Sequence, residues 1–129
     1  MGNWNWLKFQ SFGFPVILYS GIIFCVSCVP NVKTPLQGIQ FDKFLHILVY
    51  APFGFLLARG IYNVKGPVSR GMLLGVVVLG SFLYGISDEI HQSFVPGRNA
   101  DIIDIIANTI GGVAGGYIYL LFLQYIKNR

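Results

Sequence analysis

Charge is scarce in this sequence. Only 11% of its 129 residues are Asp, Glu, Lys or Arg, against ~25% in a typical soluble domain. A soluble domain so poor in charge could not cover its surface, whereas a chain whose outer solvent is lipid has no such need. Familiar catalytic signatures are missing too: there is no HExxH, no Ser or Cys nucleophile motif and no P-loop. The net charge of +4 comes without a basic stripe or a recognition motif, which excludes nucleic acid as a partner. Cysteine is limited to Cys25 and Cys28, both inside an apolar run. A CxxC redox pair belongs in a soluble βαβ setting, so these two read as small apolar residues of a helix. Lipid attachment at Cys28 after signal cleavage is the alternative. No small-residue cleavage pattern follows the run, so the segment is kept as a helix.

What is abundant is apolar surface. Apolar residues make up 54% of the chain, and 16 glycines accompany them. A membrane-spanning helix needs ~20 mostly apolar residues, because ~1.5 Å per residue must cover a ~30 Å hydrocarbon core. Four runs qualify, at about 12–29, 44–62, 71–87 and 102–125. Pro30 and Asn31 end the first. Pro52 lies inside the second and predicts a kink. The third ends at Asp88-Glu89, and Lys127 and Arg129 follow the fourth. Residues 1–129 therefore read as a single membrane domain, an all-α four-helix bundle with both termini on one side. That side collects Lys8, Arg59, Lys65, Arg70, Lys127 and Arg129, while Lys33, Lys43 and Arg98 fall on the other. By the positive-inside rule both termini are cytoplasmic, in the bacterial inner membrane.

The acids are sorted more sharply than the bases. Asp42, Asp88, Glu89, Asp101 and Asp104 all fall at the extracytoplasmic face, with His46 and His91. Two loops, 30–43 and 88–101, feed this cluster. Asp42, His46 and Tyr50 repeat every four residues and share a helix face. Tyr84, Asp88 and Gln92 do the same on the third segment, with Glu89 three before Gln92. On the fourth, Asp104, Asn108, Gly111 or Gly112, and Gly115 make one stripe of polar and small residues. Asp101 reads as the N-cap of this helix, and Asp104 lies in its first turn. Gly111-x-x-x-Gly115 and Gly112-x-x-x-Gly116 let a second backbone approach closely. Asp104 and Asn108 should then face the bundle interior. The same stripe would serve a homodimer as well as the monomer. Pro96-Gly97 makes a turn that sets Arg98 ahead of a helix N-terminus. Arg98 there either binds a phosphate or carboxylate or pairs with a neighbouring acid.

Taken together, these residues resemble the VanZ family of small membrane proteins. The resemblance rests on Asp42-Lys43 with His46 and Tyr50, Asp88-Glu89 with Gln92, Pro96-Gly97-Arg98, and Asp104, Asn108 and Gly111-Gly112. It spans roughly residues 41–116, and the first segment adds only a matching hydrophobic profile. It implies a bacterial family whose founding member is associated with resistance to the lipoglycopeptide teicoplanin, and it implies no settled reaction. By similarity, Asp42, Lys43, His46, Glu89, Gln92, Arg98, Asp104 and Asn108 are recurrent polar positions. The chain looks like the minimal form of the family. No family role passes to His91.

Three functional readings stay open. In the first, an enzyme acts on a lipid-linked or cell-wall substrate at the outer leaflet. Asp42, His46, Glu89 and Asp104 are its acid–base candidates. Lys43, Asp88, Gln92, Arg98 and Asn108 bind the substrate. A divalent metal held by Asp42, His46, Glu89 and Asp104 is a variant, although nothing in the sequence specifies a cofactor. In the second, the same cluster binds or shields a membrane lipid, a cell-wall precursor or a drug without turnover. In the third, the charges only lock the outer ends of the helices together. Transport is disfavoured, because the cytoplasmic halves of the spans carry almost no ionisable groups.

Overall fold

The computed structural model describes residues 6–30 and 39–129. Asn31 and Lys33, which entered the reading of the first loop, lie outside the described residues. Among those described, the chain folds into four long helices: α1 (Trp6–Ser27), α2 (Ile39–Lys65), α3 (Arg70–Gln92) and α4 (Ile102–Lys127). Each is long and apolar enough to cross a membrane. The protein is an all-α, multi-pass membrane bundle.

The local chemistry explains these elements. α1 contains a π-helical stretch at Phe9–Gly13, which runs directly into the regular part that holds Pro15 in its first turn. α2 runs on through Pro52 without a break, although proline removes one i→i−4 hydrogen bond. The Ser69 side chain caps α3 by accepting from the Met72 N–H. Asp101 caps α4 by accepting from the Ile103 N–H, and Asp104 adds negative charge to the first turn.

The helices outrun the apolar segments from which they were inferred. α3 does not stop at Ser87 but continues through Asp88 and Glu89 to Gln92. The apolar run marks depth in lipid. The helix persists beyond it because Asp88, Glu89 and Gln92 turn inward and are buried.

Glycine sets the packing of α4. Gly111 and Gly115 lie against the α2 backbone, where an added Cβ would sit 2.4 Å from the Ile47 carbonyl oxygen and 1.8 Å from that of Ala51. Gly112 and Gly116 lie against α3, beneath Ser81 and Val77. Gly111 and Gly115 thus serve the contact with α2, while Gly112 and Gly116 serve α3, with Gly112 also lying against Gly54 of α2. The pairing order makes α4 parallel to α2 and antiparallel to α3. Ala58, Leu73, Val77 and Tyr119 form the apolar core of the half that carries the termini. Ile23, Tyr50 and Phe53 form that of the other half, directly below the polar residues.

Candidate functional site

The far end of the bundle gathers the polar side chains of all four helices. Asp88 sits on the inner face of α3 and is 5% exposed. Its carboxylate accepts from the Ser27 hydroxyl of α1, from the Tyr50 hydroxyl of α2 at 3.3 Å and from Gln92 Nε2 at 3.3 Å. Gln92 also reaches Ser27 Oγ at 3.4 Å. A carboxylate with three neutral donors is stable when buried. Asp88 and Gln92 therefore tie α1, α2 and α3 together.

A second group joins α2 to α4. Lys43 Nζ donates to Asp101 Oδ2 at 2.6 Å and to Asp104 Oδ1. His46 Nδ1 donates to Asn108 Oδ1 at 2.9 Å. This leaves His46 Nε2 facing Asp104 Oδ2 at 3.7 Å, too long for a hydrogen bond. Asp104 and Asn108 are 5% and 0% exposed, so both face the interior. Ligand atoms of Asp42, His46 and Asp104 lie within 4.8 Å of one another. Glu89 is not in that group. Its Oε2 accepts the Asp101 backbone N–H at 2.9 Å, which pins the α3–α4 connection, and its Oε1 is buried without a partner. Asp101 stands outside the helices, and its carboxyl is held below the usual range, chiefly by the hydrogen bond from Lys43.

Between these groups lies a cavity of about 240 Å³. Asp42, His46, Asp88, Gln92 and Arg98 give it a polar wall, and Ile23, Val26, Leu45 and Val49 an apolar one. Arg98 decides its electrostatic character. The sequence allowed it either an acid partner or an anion. Among the described residues it pairs with none of the five acids, and its Nε is buried without a hydrogen-bond partner. Asp42 likewise makes no ion pair or hydrogen bond among the described residues. The cavity is thus lined by a guanidinium and a carboxylate that pair with no other side chain among the described residues, together with the His46 imidazole.

All nine residues singled out in the sequence lie at this end, but not as one constellation. Asp42, His46, Asp88, Gln92 and Arg98 line the cavity. Asn108 and Asp104 face the two ring nitrogens of His46, Lys43 binds Asp104, and Glu89 supports the start of α4. Ser27 was missed. Its signal was the seven-residue interval from Ser20, which puts two hydroxyls on one face of an apolar helix. His91 points away from the cavity. It stacks on Phe24 with ring centroids 4.1 Å apart, and its Nε2 is 3.6 Å from Cys28 Sγ.

A family model described as VanZ/LLP1 matches residues 4–123. No curated protein and no solved structure matches the chain.

Proposed function

The chain belongs to the VanZ/LLP1 family, and from that premise we propose that it is a multi-pass protein of the bacterial inner membrane that holds the anionic headgroup of a lipid-linked envelope molecule. Both termini are cytoplasmic in this reading, and the cavity opens on the extracytoplasmic side. The orientation is supported by the six basic residues at the terminal end against three at the other.

One observation carries the reading: Arg98 lines the cavity with no acid to neutralise it. An unpaired guanidinium at a membrane edge is costly unless a ligand completes it. Its planar fork suits phosphate or carboxylate oxygens. The apolar wall of Ile23, Val26, Leu45 and Val49 suits the first methylenes of a lipid chain. Occupying such a precursor would alter its access to a glycopeptide of the teicoplanin type, which links the site to the family's association with that resistance.

A second reading, proton transfer to or from the bound headgroup, is favoured by His46. Asn108 Oδ1 holds its Nδ1, and its Nε2 makes no hydrogen bond among the described residues.

The test is a panel of Asp42→Asn, His46→Ala, Glu89→Gln, Arg98→Lys and Asp104→Asn in a bacterium lacking its own copy. Teicoplanin susceptibility and membrane protein level are read together. The proposal expects Arg98→Lys to lose protection at unchanged protein level, because an ammonium cannot reproduce the bidentate grip. Loss in proportion to protein level across the panel would reduce the cluster to a structural lock. If His46→Ala abolishes protection while Arg98→Lys spares it, proton transfer outweighs headgroup binding.

A further inference from the structure

The far end of the bundle holds an excess of negative charge that its own bases do not cancel. Among the described residues, five carboxylates share this end with two bases, Lys43 and Arg98. Lys43 is engaged with Asp101 and Asp104, and Arg98 pairs with none of the acids. Asp88 has its three neutral donors. Asp42 has no partner among the described residues. Glu89 is 1% exposed, leaves Oε1 without a partner, and stands within electrostatic reach of both Asp104 and His46. A buried carboxylate oxygen with nothing to accept is expensive.

Three of these side chains also have the geometry of ligands. Asp42 and His46 are one helical turn apart on α2, and Asp104 comes from the first turn of α4. Their ligand atoms lie within 4.8 Å of one another. His46 Nδ1 is committed to Asn108 Oδ1, so Nε2 is the ring nitrogen turned toward Asp104. This is the arrangement by which a partner behind a histidine fixes the tautomer for metal binding. The 3.7 Å between His46 Nε2 and Asp104 Oδ2 is long for a hydrogen bond. It suits two ligands of one ion, since bonds of ~2.1 Å at a tetrahedral angle put ligand atoms ~3.4 Å apart. Lys43 takes Asp104 Oδ1 and leaves Oδ2 toward the histidine.

The geometry points to a divalent transition cation, of the Mn²⁺ or Zn²⁺ class, bound by Asp42, His46 and Asp104 with Asn108 as the positioning residue. One imidazole and two carboxylates are a ligand set of mixed hardness that such ions accept. Three protein ligands leave coordination positions free, and Asp42 and His46 both line the cavity that Arg98 enters. The ion and the guanidinium would then approach one anion from two sides.

The experiment is Mn²⁺ titration of the purified, chelator-treated full chain in detergent, followed by electron paramagnetic resonance. The expected result is saturable binding of one ion per chain, with a nitrogen coupling from a single imidazole. Asp42→Asn and His46→Gln should each weaken binding more than tenfold, and Asn108→Ala ~10–100-fold. Cys28→Ser, on the far side of His91, should bind as the unmodified chain does. Asp42→Asn is the decisive variant for a sound fold, since Asp42 holds nothing in place among the described residues. The nitrogen coupling needs no variant at all. Absence of saturable Mn²⁺ binding, a bound ion without nitrogen coupling, or undiminished binding in both Asp42→Asn and His46→Gln would overturn the assignment.

Discussion

His46 and Asn108, 62 positions apart in the chain, meet at 2.9 Å between Nδ1 and Oδ1. That bond fixes the imidazole tautomer and aims Nε2 at Asp104. It depends on glycine one turn further down. Gly111 lets α4 rest against the α2 backbone at Ile47, next to His46, so the contact between helices sets the distance between side chains.

Gly115→Ala should therefore be costly. The new Cβ would lie 1.8 Å from the Ala51 oxygen, which belongs to backbone and cannot swing aside. Overpacking of this kind costs ~1–3 kcal/mol or more. Gly75→Ala on α3 meets nothing within 4 Å and should be neutral or slightly stabilising, because alanine is the better helix former. Thermal unfolding in detergent should show a lowered midpoint for the first variant only.

Ser27→Ala and Tyr50→Phe each remove one donor from the buried Asp88 carboxylate. Hydrogen bonds to charged groups are worth ~1.5–3 kcal/mol. Both variants should unfold earlier than the unmodified chain. Their effects should not add, because both act through one carboxylate. A double-mutant cycle on unfolding midpoints measures the coupling.

Acid should weaken the α2–α4 junction in a defined direction. The Asp101 carboxyl is held below its ordinary value of 3.8, first by Lys43 and then by the Ile103 N–H. A lowered folded-state value means that the stabilisation is complete above that ordinary value and fades as pH falls through the lowered one. The effect is modest, because the side chain is 39% exposed. Unfolding followed from pH 6 down to about pH 2 should show a steeper loss for the unmodified chain than for Asp101→Asn, which has no such proton to gain.

Much of this site could be read along single helices. Asp104 and Asn108 repeat every four residues beside a glycine stripe, so their inward direction followed from helical spacing alone. The N-cap role of Asp101 was equally local. Four features were not local. The third span reads as ending at Ser87, where its apolar run ends, although Tyr84, Asp88 and Gln92 already make one stripe that runs past that point. Ser27, Tyr50 and Gln92 donating to Asp88, and the Asp101 N–H donating to Glu89, make a buried helix end possible there. Ser27 was missed because its one mark on an otherwise apolar helix is the seven-residue interval from Ser20, and the Asp88 it meets lies on another helix. The choice for Arg98 between an acid and an anion depended on distances across the α3–α4 turn, which residue spacing does not fix. Nor does spacing say which glycine pair meets which helix.

The measurement that bears most directly on the central claim is lipid retention by the purified protein. The unmodified chain and Arg98→Gln would be equilibrated with matched anionic and zwitterionic phospholipids and compared by native mass spectrometry. The account predicts that the unmodified chain prefers the anionic lipid, and that Arg98→Gln loses the preference by about tenfold, or ~1.4 kcal/mol, with its unfolding midpoint unchanged. Equal retention of the two lipids by the unmodified chain, or an undiminished preference in Arg98→Gln, would contradict it.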